Sequence, residues 1–289
     1  MIKQKTIKKE VSFYGIGVHS GNPVSVKVKP AYIDSGIIIK NKNFPNDDIK
    51  LGTIIPEIAM HATVIKNSKY FISTIEHLIS AIIWLEIDNV IIETQDPEIP
   101  ILDGSALPFV QGLIDAQVIE QESDVKFLTP IQNLQFKDEN DRLIEIIPAK
   151  KDGLGNFDNS LYIEYQMNFN HYLVGDSKIE AKITPEFFEK NIAPARTFGF
   201  LNQLPELKKY GLAKGTSLGN TVVVGDDLLN DQRFDNEFAK HKLLDFLGDI
   251  GLLGKRLAGK VKAVKTGHSF NRLVVEHYIK NPDKWREIN

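Results

Sequence analysis

Residues 238–249 run Phe-Ala-Lys-His-Lys-Leu-Leu-Asp-Phe-Leu-Gly-Asp, and in this otherwise apolar segment His241, Asp245 and Asp249 recur at every fourth position. That period lines them along one face of an α-helix. Leu243, Leu244, Leu247 and Ile250 spread over much of the remaining surface, so the helix is expected to be buried on more than one side. No other feature restricts the fold as much. A buried helix must be covered by further layers, and a buried pair of acids must have a partner. A cation is one such partner: a histidine and a carboxylate one turn apart can hold a divalent metal through imidazole nitrogen and carboxylate oxygen, a donor pair that zinc accepts. The alternative, a solvated polar stripe on an amphipathic helix, is the ordinary reading of a single His-x3-Asp.

The chain of 289 residues has no cysteine. Disulfides, thiolate nucleophiles and thiolate-held zinc are therefore excluded, and any metal site must use His, Asp or Glu. Lys and Arg number 35 against 38 Asp and Glu, a net charge of -3, so no global field recruits nucleic acid or an anionic membrane. Residues 1–10 are charged and lack the apolar core of a secretory signal. No stretch approaches the roughly 20 apolar residues of a membrane helix. A soluble cytoplasmic protein of one large or two medium domains is expected.

A second stretch supplies complementary chemistry. In residues 73–85, Ser-Thr-Ile-Glu-His-Leu-Ile-Ser-Ala-Ile-Ile-Trp-Leu, Ser73 and Glu76 have the spacing of a capping box, which predicts a helix starting there. Ile75, Leu78, Ile79, Ile82 and Ile83 form its apolar stripe, and Glu76 and His77 fall side by side in its first turn. On one reading Glu76 only caps and His77 is a partly buried helix residue. On the other, a carboxylate adjoins a metal ligand, as a hydrolase places a base beside a metal-activated water.

Around these helices the pattern is mainly of strands. Residues 6–13, 23–30, 36–40 and 89–93 read as strands of the first half. Residues 14–21 read as a tight turn: Gly15, Gly17 and Gly21 do not fit the dinucleotide-binding spacing, and His19 is taken as a turn or core histidine. The Asn-, Lys- and Asp-rich residues 41–50 are expected to form a surface loop. Ser105 is expected to cap the helix that follows, since Gly-x-Ser-x-Gly is absent. The polar residues 120–124 mark the boundary between halves. In the second half, residues 131–136, 142–147, 161–169, 221–224 and 261–264 read as strands, and Thr184 caps a short helix that begins with Pro185. His268 follows Gly267 at a strand-to-helix turn, where catalytic groups are often displayed, although a capping histidine fits equally. The fold predicted is α+β: two similar domains, residues 1–124 and 125–289, each a β-sheet layered with helices, with the active site at their junction.

If His77, His241 and Asp245 share one ion, three protein ligands leave a position open for water, the arrangement of a catalytic zinc site. Glu76 could then take a proton from that water, His268 could protonate the leaving group or stabilise the oxyanion, and Thr197 could donate a hydrogen bond to it. The chemistry implied is metal-assisted hydrolysis of an amide or ester.

Ordered motifs along the chain carry a resemblance. They are Gly-Ile-Gly-Val-His-Ser-Gly at 15–21, Ser-Thr-Ile-Glu-His-Leu at 73–78 and Glu-Ile-Pro-Ile-Leu-Asp-Gly-Ser at 98–105. Ala-Arg-Thr-Phe-Gly-Phe at 195–200, His-Lys-Leu-Leu-Asp at 241–245, Gly248-Asp249 and Gly267-His268 complete the series. Nearly end to end, the chain resembles the UDP-3-O-acyl-N-acetylglucosamine deacetylases, zinc amidases at the committed step of lipid A synthesis in Gram-negative bacteria. The resemblance implies a two-domain α+β fold and one catalytic zinc ion held by His77, His241 and Asp245. It implies Glu76 as general base, His268 as the protonated partner of the leaving amine, Asp249 as the residue that orients His268, and Thr197 as oxyanion donor. Lys242 and Phe198 are the implied substrate contacts near the metal. Residues 201–224 match the insert that lines the acyl-chain passage, with Leu204, Thr216 and Leu218 as candidate contacts. The implied partner is a UDP-3-O-acyl-N-acetylglucosamine substrate, with no nucleic acid and no integral membrane segment, and a monomer is expected.

Three positions depart from the family pattern. Thr216 and Gly219 stand in a loop usually written Gly-Gly-Ser-Leu-Asp-Asn, here Gly-Thr-Ser-Leu-Gly-Asn, and Glu86 stands where a glycine commonly precedes Ile87. The rival readings are another metallo-amidase or esterase acting on a sugar, and a non-catalytic nucleotide-sugar or lipid-binding protein on the same scaffold. The latter predicts a lost ligand or base, and none is missing.

Overall fold

A computed structural model describes residues 2–59 and 62–289. Two five-stranded sheets carry the fold, and they share one topology. The first runs Val11–Ile16, Pro23–Pro30, Val90–Thr94, Ile37–Asn41, Phe44–Lys50, and the second Leu134–Lys137, Leu143–Pro148, Gly259–Val264, Leu161–Asn168, Asp176–Ile183. In each, the strand latest in sequence is inserted at the centre, antiparallel to one neighbour and parallel to the other. Strands alternate buried and solvent-facing residues, as in Leu161–Asn168, where Leu161, Ile163, Tyr165 and Met167 point inward. The chain is thus α+β with two similarly built halves.

Among the described residues, six α-helices accompany the sheets: α1 (Glu76–Trp84), α2 (Leu107–Asp115), α3 (Pro185–Phe187), α4 (Leu204–Lys209), α5 (Glu237–Gly251) and α6 (His268–Lys280). The repeat extends to them. α1 precedes the central strand of the first sheet as α5 precedes that of the second, and α2 and α6 follow those strands. Every residue of α1 is buried, as are nearly all of α5, which packs on α1 and on the strands Leu161–Asn168 and Asp176–Ile183. Burial on all sides is what a helix without a polar face requires. Close approach depends on glycine: a Cβ on Gly248 would lie 2.2 Å from the Glu76 carbonyl oxygen, and one on Gly251 would lie 2.7 Å from Ile79 Cγ2. The indole of Trp84 donates to the Leu247 carbonyl at 3.4 Å, bridging the same pair.

Several expectations are corrected. Residues 6–13 are not one strand: Lys3–Ile7 and Val11–Ile16 belong to different sheets. Lys3–Ile7 pairs antiparallel with Val118–Asp124, which contains the polar residues 120–124. Residues 41–50 are not a loop. Phe44–Lys50 is an edge strand anchored inward by Ile49, and its polarity suits an exposed edge. The strands Asp176–Ile183 and Trp285–Ile288 are not anticipated by the sequence pattern. The first is an edge strand with charges on its outer face, the second a short pairing with Phe127–Pro130.

Candidate metal centre

The capping box expected at the start of α1 does not form. Ser73 ends a short strand and its hydroxyl donates to the Pro97 carbonyl at 3.1 Å; Thr74 turns the chain with a φ of 59°, and Ile75 precedes the helix without a side-chain cap. Glu76 is therefore not engaged by the backbone. It is buried, and its Oε2 has no hydrogen-bond partner among the described residues. Burial raises the pKa of this acid, against the charges of His268 and His77.

His77, next to Glu76, meets α5 where Gly248 lets the backbones touch. His77 Nε2 lies 3.6 Å from Asp245 Oδ1, and His241 Nε2 lies 3.3 Å from the same oxygen. The two imidazoles meet edge to face with centroids 5.1 Å apart. One ligand atom from each of the three residues can be chosen within 4.8 Å of the others, and all three residues are buried. Two imidazole nitrogens and one carboxylate oxygen converging on one another fit a divalent cation. His241 Nδ1 donates to the Ala195 carbonyl at 3.0 Å, which leaves Nε2 as the free lone pair. Burial, with the neighbouring His77 and Lys242, pushes the His241 pKa down to about 4 despite Asp245, so the ring is neutral, as a ligand must be. Lys242 Nζ donates to the other oxygen of Asp245 at 2.7 Å. Burial would raise the Asp245 pKa, but His241 and Lys242 hold it well below the carboxylate range.

Asp249, one turn further along α5, holds His268. His268 Nδ1 donates to Asp249 Oδ2 at 2.8 Å, and the ring's Nε2 stands 4.0 Å from Glu76 Oε1 and 3.9 Å from Asp245 Oδ2. Burial opposes its charge, but Asp249, Asp245 and Glu76 outweigh that and raise its pKa to about 10. The remaining acceptor capacity of Asp249 is taken by the Thr63 hydroxyl at 2.6 Å and the Asn271 amide at 2.7 Å.

Glu76, His77, His241, Asp245 and His268 line a cavity of about 260 Å³ with Thr197, Phe198, Lys242, Leu204 and Thr216. Phe198 packs edge to face on Phe238 with centroids 4.8 Å apart, and Lys242 Nζ lies 5.6 Å from the Phe198 ring centre. Phe169, Phe200, Leu207 and Val223 make much of the wall apolar. Leu218 is not brought to the cavity; it is half exposed on the surface. His19 is a cavity residue as well as a turn residue.

Several residues escaped sequence reasoning. Glu98 is buried and accepts from the His19 and Ser20 backbones at 2.8 and 3.0 Å, shaping the glycine turn; a Cβ on Gly17 would lie 2.1 Å from its Oε2. Nothing in the spacing of residues 79 apart announces that contact. Asn271 carried a signal, since it lies three residues past His268 on one helix face. Glu237 carried a stronger one: it extends the four-residue period of His241, Asp245 and Asp249. Its carboxylate, fully buried, pairs with Arg196 at 2.9 Å. Burial would raise the Glu237 pKa, but Arg196 and backbone donors hold it below its ordinary range.

Comparison with known proteins gives a consistent result. The model of the family described as UDP-3-O-acyl N-acetylglycosamine deacetylase matches residues 4–280. A protein of Syntrophotalea carbinolica named UDP-3-O-acyl-N-acetylglucosamine deacetylase is 38% identical, the match covering 100% of this chain and 91% of the relative. Proteins with that name from Mannheimia succiniciproducens and Francisella tularensis are 36% and 37% identical over 100% of this chain, with 93% and 100% of the relatives covered.

Proposed function

The chain belongs to the UDP-3-O-acyl N-acetylglycosamine deacetylase family, and from that premise we propose that it is a zinc-dependent amidohydrolase. Its reaction is removal of the N-acetyl group, as acetate, from UDP-3-O-(3-hydroxyacyl)-N-acetylglucosamine, the committed step of lipid A biosynthesis. The observation that carries this reading is the convergence of His77, His241 and Asp245 beside Glu76 and His268 in a largely apolar cavity. Residues 1–124 and 125–289 are the two domains of this reading, each contributing ligands from its buried helix.

His77, His241 and Asp245 would hold the zinc, which when bound would supply Lewis acidity to the amide carbonyl and to a water. Glu76 receives the proton of the attacking water; burial raises its pKa, and a cation beside it would favour the carboxylate the base needs. His268, kept protonated by Asp249, delivers a proton to the leaving amine, so that water and amide become acetate and amine. Thr197 donates to the developing oxyanion. Lys242 and Phe198 hold the sugar near the metal, and Leu204 and Thr216 face the acyl chain.

Acetate release from the UDP-linked substrate, measured alongside zinc content, tests the reading. Chelation should abolish turnover and zinc should restore it, and His241→Ala should no longer retain stoichiometric zinc. Glu76→Ala should lower kcat by at least about 100-fold with little change in substrate binding. Full activity in chelated protein, or a Glu76→Ala enzyme within a few-fold of the parent, would sink it.

A further inference from the structure

We propose that Glu237 and Arg196 are positioning residues for the metal centre, a buried clamp that fixes the Ala195 carbonyl and through it the imidazole of His241. The clamp presupposes the reading of His241 as a metal ligand. α5 fixes the position of the His241 backbone, but the ring can still rotate and its two nitrogens can exchange the proton. What selects one arrangement is the acceptor at Nδ1, and that acceptor comes from outside the helix, from the Ala195 carbonyl at 3.0 Å. Residues 193–197 have little regular structure of their own, so something else must hold this carbonyl still.

Glu237 does so. It sits in the first turn of α5, one turn before His241, with its side chain fully buried. Its Oε1 accepts from the Arg196 backbone N–H and from Arg196 Nε, both at 2.9 Å, and its Oε2 accepts from Arg196 Nη2 at 3.1 Å and the Arg233 N–H at 2.6 Å. Backbone and side chain of the residue following Ala195 are thus bound to one carboxylate. Arg196 Nη2 also donates to the Asp231 carbonyl at 2.7 Å, and Arg196 is not a cavity residue, so its charge serves the clamp rather than substrate. The first half of the chain closes the strap from the other side: the Ala106 N–H donates to the Ala193 carbonyl at 2.9 Å, and the Thr197 N–H to the Gly104 carbonyl at 2.8 Å. A buried ion pair is a poor source of stability compared with apolar residues of similar volume, and fixing geometry is the better-attested use of one.

The test uses the double replacement Arg196→Met with Glu237→Leu, the conservative Arg196→Lys, and His241→Ala. Zinc affinity is measured by competition with a chromophoric chelator, unfolding temperature on the metal-free protein, and the histidine tautomer by 15N resonances. Removing both charges should leave the unfolding temperature near that of the parent. Zinc should nevertheless bind about 10- to 100-fold more weakly, the usual scale for losing a group that orients a ligand, and the His241 ring should become a mixture of tautomers. Arg196→Lys should show a smaller loss in the same direction, and it decides the matter if the double variant does not fold. Parental zinc affinity in a folded variant lacking the pair or the guanidinium fork overturns the clamp. Parental affinity in His241→Ala instead removes His241 as a ligand, and with it the reading on which the clamp rests.

Discussion

Two buried histidines of the metal-free site titrate in opposite directions. The unfolded His241 takes up a proton near pH 6.5, but the folded one does so only near 4, so between these values the unfolded chain binds more protons. Stability from this group is present above pH 6.5 and is lost as pH falls toward 4. His268 has the reverse sign. Its folded pKa of about 10 lies above 6.5, so its contribution is complete below 6.5 and is lost as pH rises toward 10. The two histidines together therefore favour the metal-free fold most near pH 6.5, each contributing a slope of up to about 1.4 kcal/mol per pH unit on its own flank. Urea unfolding across pH checks this: His241→Leu should flatten the acid flank only, and His268→Gln the alkaline flank only. Glu86 answers the departure noted in the sequence. It has a φ of 62°, the left-handed conformation that glycine adopts most readily, and its side chain pairs with Lys5 at 2.6 Å and Arg256 at 3.6 Å, which offsets the backbone cost.

At the scale of elements, the site exists because α1 and α5 pack along one another and their backbones meet at Gly248. Glu76 and His77 are carried by one helix, His241 and Asp245 by the other, and Gly248 is where the backbones meet. Gly248→Ala places a Cβ against the Glu76 carbonyl, a backbone atom that cannot rotate away, so the helices must separate. The expected cost is about 1–3 kcal/mol, the range for overpacking a filled core, together with weaker zinc binding because His77 moves with α1. Gly267→Ala is the control. A Cβ there would meet nothing within 4 Å beyond its chain neighbours, and the residue's φ of -158° is extended backbone. Thermal unfolding and chelator competition on both variants give the comparison, and equal behaviour would show that helix contact does not set the site.

For the whole molecule, the cavity joins His77, His241 and Asp245 to an apolar wall from the second half, with Thr216 also in its lining. Burying each methylene of an acyl chain contributes roughly 0.8 kcal/mol, so a side chain that shortens the apolar path by a few methylenes changes specificity by orders of magnitude. Thr216→Gly is expected to shift preference toward longer or bulkier acyl groups with zinc content unchanged. The measurement is kcat/KM across a series of acyl lengths for both proteins, and parallel profiles would show that Thr216 does not limit the passage.

The chemistry on each helix is legible from local spacing. The four-residue period of His241, Asp245 and Asp249, the adjacent Glu76 and His77, and the absence of cysteine are local facts, and helical geometry alone converts them into a shared face. Strands with strong alternation, such as Pro23–Pro30 and Leu161–Asn168, are legible for the same reason. What depends on distant partners is not. Ser73 has the spacing of a cap, but its hydroxyl turns to Pro97; residues 44–50 have the polarity of a loop, but a neighbouring strand supplies their ladder. Long-range packing settled that the two sheets share one topology, that Gly248 brings His77 of α1 to His241 and Asp245 of α5, and that Glu237 pairs with Arg196. Such contacts join residues as far apart as Thr63 and Asp249, or Arg196 and Glu237, where spacing along the chain carries no information and the packing of apolar faces chooses the neighbours.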